Sequence, residues 1–278
     1  MKLEPKEEAA VLHGKSLAYS LRVQNSRYSI LLFIGTGLRF SLPWLQLIAG
    51  ALLILFTYGA VTVWNDISDL KIDQSNHRDL PLAQARISLR QAKYLSAACC
   101  MGCIGLATLL YPSGFLYLFT TLGLGVAYSV PPLAVEKRGL LATFLLSICY
   151  TLLPIALAVF YKHRVAIDPI LIVAGILLSM TSLLYKDYKD EAGDKLFGKI
   201  TPLIKYGTGR MNDLAVILFT VGTLLLIYSS QIGWWLVGNL VSAISLYAVR
   251  RRLPQVSAIL IGLYNLGVAF SLVLLIKT

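Results

Sequence analysis

Three aspartates, Asp66, Asp69 and Asp73, follow Asn65 at the spacing i, i+3, i+7. On a helix that spacing puts all three carboxylates on one face. Clustered anions repel one another and need compensating charge. A hard divalent cation such as Mg2+, bridged to phosphate oxygens, supplies it. The spacing recurs at Asp187, Asp190 and Asp194. Asp66 and Asp187, Asp69 and Asp190, Asp73 and Asp194, and Pro81 and Pro202 are each offset by 121 residues. Lys71, Arg78, Lys186, Lys189, Lys195 and Lys205 interleave with the acids. A Mg2+-bound diphosphate ester needs this combination, carboxylates for the metal and cations for the remaining phosphate charge. One such stretch alone reads as a solvated polar loop. Two copies at matching positions make chance a poor account. A third signal is Tyr128-Ser129-Val130-Pro131-Pro132, followed by Lys137-Arg138-Gly139. The proline pair ends a helix and stiffens its exit, and by itself this reads as a helix stop beside an interfacial tyrosine.

The elements that must position these residues are membrane spans. The chain is 57% hydrophobic and 14% charged, with mean hydropathy +0.71. A soluble domain carries about 25% charged residues, so the chain reads as an integral membrane protein. Nine apolar stretches approach the length of about 20 residues that a span needs: 23–40, 44–64, 92–111, 114–132, 140–160, 168–185, 213–230, 232–249 and 256–276. With the N-terminus on the side of the charged connections, 21 basic residues fall on that side and 4 on the other. That asymmetry predicts a cytoplasmic N-terminus and cytoplasmic acidic loops, in the inner membrane for a bacterial chain. It also accounts for the net charge of +11 without nucleic acid. The N-terminal Met-Lys-Leu-Glu-Pro-Lys-Glu-Glu lacks the apolar run of a cleaved signal peptide.

Four spans separate the two acidic stretches, so the two halves share one orientation. The expected fold is all-α: a multi-span bundle of nine transmembrane helices in a single domain, residues 1–278. Its halves, about 23–139 and 140–276, form a pseudo-repeat around a central cavity, and the two carboxylate faces look at each other across it. Cys99, Cys100, Cys103 and Cys149 lie in apolar segments and read as small packing residues. Trp234-Trp235 reads as part of an aromatic belt. Asn239 reads as one end of a helix–helix hydrogen bond.

Taken together, these residues resemble the UbiA family of intramembrane prenyltransferases. The first family motif, NDxxDxxxD, is present as Asn65, Asp66, Asp69 and Asp73. The second, DxxDxxGD followed by G and T-P, is matched by Asp187, Asp190, Gly193, Asp194, Gly198, Thr201 and Pro202. The YSxPP signature is matched by Tyr128 to Pro132. The resemblance implies Mg2+ held by Asp66, Asp69, Asp73, Asp187, Asp190 and Asp194. It implies diphosphate contacts from Asn65, Lys71, Arg78, Lys137, Lys186, Lys189 and Lys195, and catalysis through Asp66, Asp69, Asp187, Asp190 and Tyr128. The implied reaction passes a prenyl group from a prenyl diphosphate donor to a lipophilic, aromatic or quinone-precursor acceptor within the membrane lipid. Tyr128, Tyr150 and Tyr185 are candidates to face an allylic carbocation. Two departures stand out: Leu21-Arg22-Val23 and Arg78-Asp79-Leu80-Pro81 each occupy a place where the family often has Arg-Pro.

Two other classes compete. A CDP-alcohol phosphotransferase also repeats aspartates, but neither acidic loop has Asp-Gly followed by Ala-Arg. A transporter with an internal repeat would place its acids at the bilayer midplane, whereas these sit at span ends. The acceptor, the prenyl chain length and the oligomeric state are left open by the sequence.

Overall fold

The computed structural model describes residues 14–130, 132–161, 168–186, 191–229, 233–251 and 258–276. Asp187, Lys189, Asp190 and Pro131 lie outside the described residues. Among those described, residues 14–20 are helical, twelve further α-helices follow, and there is no strand. They are α1 Val23–Arg39, α2 Trp44–Ser68, α3 Leu70–Ser75, α4 Leu89–Leu109, α5 Ser113–Ser129 and α6 Leu140–Ser147. The series continues with α7 Leu153–Tyr161, α8 Pro169–Leu183, α9 Glu191–Leu196, α10 Pro202–Ser229, α11 Trp235–Arg251 and α12 Ala258–Leu275.

The helix count departs from the nine expected, for local reasons. Short helices lie within the acidic stretches, α3 carrying Asp73 and α9 carrying Asp194. The stretch expected as one span at 140–160 is divided by a π-helical turn, Ile148–Leu152, between α6 and α7. Among the described residues, four runs are long and apolar enough to cross a membrane: α2, α4, Leu140–Tyr161 and α10. Three shorter apolar helices, Pro169–Leu183, Trp235–Val249 and Ile259–Leu275, accompany them. Large apolar side chains face outward, Trp44 at 74% exposure and Phe119 at 66% among them. In water such a surface would be a liability, and in a bilayer it is solvated by acyl chains.

Element boundaries follow capping chemistry. Helix α4 starts at a capping box, in which the Ser88 hydroxyl accepts from the Gln91 N–H and the Gln91 side chain accepts from the Ser88 N–H. Helix α8 starts on Asp168, whose carboxylate accepts the Ile170 N–H at 2.9 Å, with Pro169 in the first turn. Helix α10 begins at Pro202, eleven residues before the span expected at 213, because the Thr201 hydroxyl accepts the Ile204 N–H. Gly207, at φ 73°, kinks its first turns. The charged Lys205 and Arg210 thus sit on helix rather than loop.

Two large apolar cores hold the bundle, beside a smaller cluster of Val63, Leu82, Ile87 and Ala92 under the first acidic connection. One joins residues of α2, α4, α5 and α7 to Phe33, and the other joins α8, α10, α11 and α12 to Tyr28 and Leu32. Helix α1 therefore contributes to both, and Tyr150 in the π turn packs against both. Trp235 is 3% exposed within the second core, so only Trp234, 80% exposed, matches the expected aromatic belt. The Asn239 amide exchanges a hydrogen bond with Thr223 across α10 and α11 at 3.3 Å, as expected of a helix–helix contact.

Candidate active site

The first acidic motif lies on a helix that breaks at its middle aspartate. Asp66 is in the last turn of α2, Asp69 caps that helix with φ −93° and ψ 9°, and Asp73 is in α3. All three are buried, at 4%, 6% and 3% exposure, and Asp194 in α9 is 3% exposed. Buried carboxylates need partners, and each of the first three has a cation. The Arg22 guanidinium donates to Asp66. The Arg78 guanidinium donates to Asp73 at 3.1 Å, and the Lys199 ammonium donates to Asp69 at 3.1 Å. Asn65 donates to Asp69 through its amide, while its amide oxygen accepts from the Ser129 hydroxyl at 3.0 Å. That bond ties the YSxPP stretch to the first motif.

The two acidic stretches meet. The Gly193 N–H donates to the Asn76 amide oxygen at 2.7 Å. Glu136, in the 3-10 turn Val135–Lys137, reaches the same cluster, with its carboxylate 3.4 Å from the Lys199 ammonium. Burial raises the pKa of both Asp73 and Glu136, with Arg78 and Lys199 respectively pulling the other way. For Lys199, burial acts downward, yet Asp69 and Glu136 together leave its pKa raised, so the ammonium is charged at neutral pH.

This cluster forms the mouth of a cavity of about 950 Å³. Arg22, Asp69, Asp73, Arg78, Asp194 and Lys199 line it at the mouth. Farther in, the walls are mainly tyrosine and aliphatic, Tyr28, Tyr58 and Tyr150 with Leu124, Leu146 and Leu266, interspersed with Thr121, Ser179 and Asn265. Tyr58 and Tyr150 stand with ring centroids 5.0 Å apart. The π turn frees backbone carbonyls to hold them. The Tyr58 hydroxyl donates to the Cys149 carbonyl at 3.2 Å, and the Ser29 hydroxyl donates to the Tyr150 carbonyl at 3.0 Å.

Of the residues predicted to serve the site, Asn65, Asp69, Asp73, Arg78, Tyr128, Lys186 and Asp194 line the cavity, as do Tyr150 and Tyr185. Asp66 stands behind the wall on Arg22. Lys71, Lys137 and Lys195 are exposed and do not line it; Lys195 pairs instead with Glu191 at 2.6 Å. Arg86, eight residues after Arg78, pairs with Asp79 at the surface. Lys199, Glu136, Asn76 and Tyr58 were not expected at the site. Of these, only Lys199 had a signal, as a basic residue inside the second motif.

The donor chemistry fits a hard divalent cation. The carboxylates are oxygen ligands, and one buried oxygen, Asp73 Oδ2, has no hydrogen-bond partner among the described residues. No group of three acidic, histidine or cysteine ligands stands close enough to hold an ion among the described residues. Asp187 and Asp190, outside them, belong to the donor set the sequence predicts.

An all-helical membrane bundle with buried acids at the mouth of an aromatic cavity defines a class, and comparison places the chain within it. The chain belongs to the UbiA prenyltransferase family, which matches it over residues 28–275. It is 29% identical over 169 residues to a homogentisate phytyltransferase of Synechocystis sp., an alignment covering 56% of this chain and 53% of that one. It is 27% identical over 215 residues to naringenin 8-dimethylallyltransferase 2 of Sophora flavescens, covering 71% and 52%. The chain thus spans about half the length of these curated relatives. A UbiA homolog from Archaeoglobus fulgidus, solved with DMAPP and Mg2+, superposes with TM-score 0.70 at 17% identity, covering 91% of this chain and 97% of that one. A digeranylgeranylglyceryl phosphate synthase superposes with TM-score 0.66 at 21% identity, covering 96% and 99%. Both show the shared fold.

Proposed function

We propose that this protein transfers a prenyl group from a prenyl diphosphate to a lipophilic acceptor inside the membrane, with Mg2+ as its cofactor. The observation that carries this is the polarity of the cavity. Buried carboxylates and cations crowd one end, and away from them tyrosine and aliphatic side chains predominate, with a few neutral polar groups such as Thr121, Ser179 and Asn265. A diphosphate with a prenyl tail has the same division. The proposed donor set for Mg2+ is Asp66, Asp69, Asp73, Asp187, Asp190 and Asp194, where the metal would supply positive charge to the diphosphate oxygens. Arg22, Arg78 and Lys186 would take the remaining negative charge as the C–O bond of the donor breaks and the diphosphate leaves with the electron pair. Tyr58, Tyr128 and Tyr150 would present ring faces to the allylic cation. Walls poor in water would protect it until an acceptor carbon captures it and loses a proton. The A. fulgidus homolog with DMAPP and Mg2+ supports the donor class and the metal, and the aromatic acceptors in the names of both curated relatives favour an aromatic or quinone-precursor acceptor.

The proposal extends to topology: nine spans in two halves, N-terminus and both acidic stretches cytoplasmic, in a single domain. Two contacts support the pseudo-repeat. Asn76 and Gly193 join the acidic stretches. Ser29 also bonds the Tyr150 carbonyl, its counterpart 121 residues on, as equivalent positions do when they meet at a pseudo-two-fold axis.

The test is turnover of radiolabelled prenyl diphosphates by membranes containing the protein, with a panel of acceptors. Wild type is expected to release diphosphate in a Mg2+-dependent way, with chelation abolishing and Mg2+ restoring it. Asp66→Asn and Asp187→Asn are each expected to lower the rate at least about a hundredfold. Retained Mg2+-dependent release by both variants would sink the reading.

A further inference from the structure

Glu136 belongs to none of the motifs, yet it is buried behind the cavity wall beside Lys199, which lines the cavity. The two cations on the first half's acids, Arg22 and Arg78, have Asp66 and Asp73 as their carboxylate partners. Those carboxylates belong to the proposed metal ligands. Lys199 differs. It contacts one proposed metal ligand, Asp69 at 3.1 Å, and one acid outside that set, Glu136 at 3.4 Å. Its side chain is 11% exposed, and it lines the cavity. When Asp69 turns to a cation, Lys199 loses half its anchorage but keeps Glu136. An ammonium held in this way has unused donors facing the cavity, since a lysine carries three N–H groups.

We propose that Lys199 is a diphosphate-binding residue and that Glu136 is a positioning residue holding its ammonium at the cavity wall. This rests on the prenyl diphosphate reading above. Glu136 sits on the 3-10 turn after the YSxPP stretch, and Lys199 lies between Gly198 and Thr201 of the second motif. Their pair joins two connections from different halves around the leaving group.

Binding of inorganic pyrophosphate with Mg2+ to the purified protein in detergent, followed by calorimetry, tests this alongside donor KM and kcat. Lys199→Met is expected to weaken pyrophosphate and raise donor KM about ten- to a hundredfold, the scale of one charged hydrogen bond. Lys199→Arg, which keeps the charge, is expected to bind within about fivefold of wild type. Glu136→Gln is expected to weaken pyrophosphate about three- to tenfold, an effect that a merely structural carboxylate would not have. Lys199→Met with wild-type pyrophosphate affinity and donor KM overturns the binding role. Glu136→Gln with wild-type affinity overturns the positioning role, and decides the matter if Lys199→Met does not fold. Wild type that neither binds pyrophosphate nor consumes any prenyl diphosphate would instead overturn the parent reading.

Discussion

Gly193 is the point where the two acidic stretches touch, and its lack of a side chain is a geometric requirement. A Cβ built on it would lie 2.4 Å from the Asn76 amide oxygen, 2.5 Å from Cγ and 2.6 Å from the amide nitrogen. Non-bonded heavy atoms are comfortable at about 3.5 Å, so in Gly193→Ala the Asn76 amide must retreat by about 1 Å. The retreat itself is cheap, because the amide is the end of a side chain. What it sacrifices is the 2.7 Å bond from the Gly193 N–H, which would stretch beyond hydrogen-bonding range. A lost bond with a buried donor left unpaired costs about 2 kcal/mol. Asn76→Ala loses the same bond but opens the space, so adding Gly193→Ala to it costs under about 0.5 kcal/mol more. The coupling between the two substitutions is therefore about 1.5 kcal/mol. Thermal unfolding in detergent reads stability, and pyrophosphate affinity reads the approach of Asp73 to Asp194. Equal costs for Gly193→Ala in both backgrounds would refute the contact.

Two further outcomes follow from the same geometry. Arg22→Met leaves Asp66 buried without its cation and is expected to cost about 3 kcal/mol, while Arg22→Met with Asp66→Asn recovers most of that stability without activity, as thermal unfolding of the pair would show. Gly262 lines the cavity with nothing within 4 Å of a built Cβ, so Gly262→Leu is expected to fold normally and to lower turnover of long prenyl donors about tenfold relative to the shortest one; an unchanged length profile would place the tail elsewhere.

The features legible in the sequence are those that local pattern encodes. Asp66, Asp69 and Asp73 stand out because acids are scarce in an apolar chain, and their 121-residue echo needs no tertiary structure to be seen. The family motifs carried the UbiA assignment for the same reason. Helix starts at Ser88 and Thr201-Pro202 were legible in principle, since a capping box and a Thr-Pro pair are sequence signatures. Charge on Lys205 and Arg210 masked the second, because hydropathy weighs residues and not hydrogen bonds. The π turn at Ile148–Leu152 has no pattern of its own: its residues are as apolar as a helix requires, and only the carbonyls taken by Tyr58 and Ser29 show why the ladder slips there.

The pairing of charges is the part that pattern cannot reach. Counting basic residues by side gave a topology, and in that count Arg22, Lys199 and Lys137 were equivalent. Their surroundings separate them. Arg22 and Lys199, largely withdrawn from the surface, pair with the buried Asp66 and Asp69, and Lys137 is exposed. Glu136, one residue before Lys137, looks from sequence like a charge among charges in a short connection. Burying a carboxylate is costly unless a cation meets it, so its place beside Lys199 is a condition of the fold. Arg22 sits where the family often has Arg-Pro, at φ 46° before helix α1, and still delivers its guanidinium to the first motif. The residue after Arg22 is Val23 and not proline, and the guanidinium reaches Asp66 all the same.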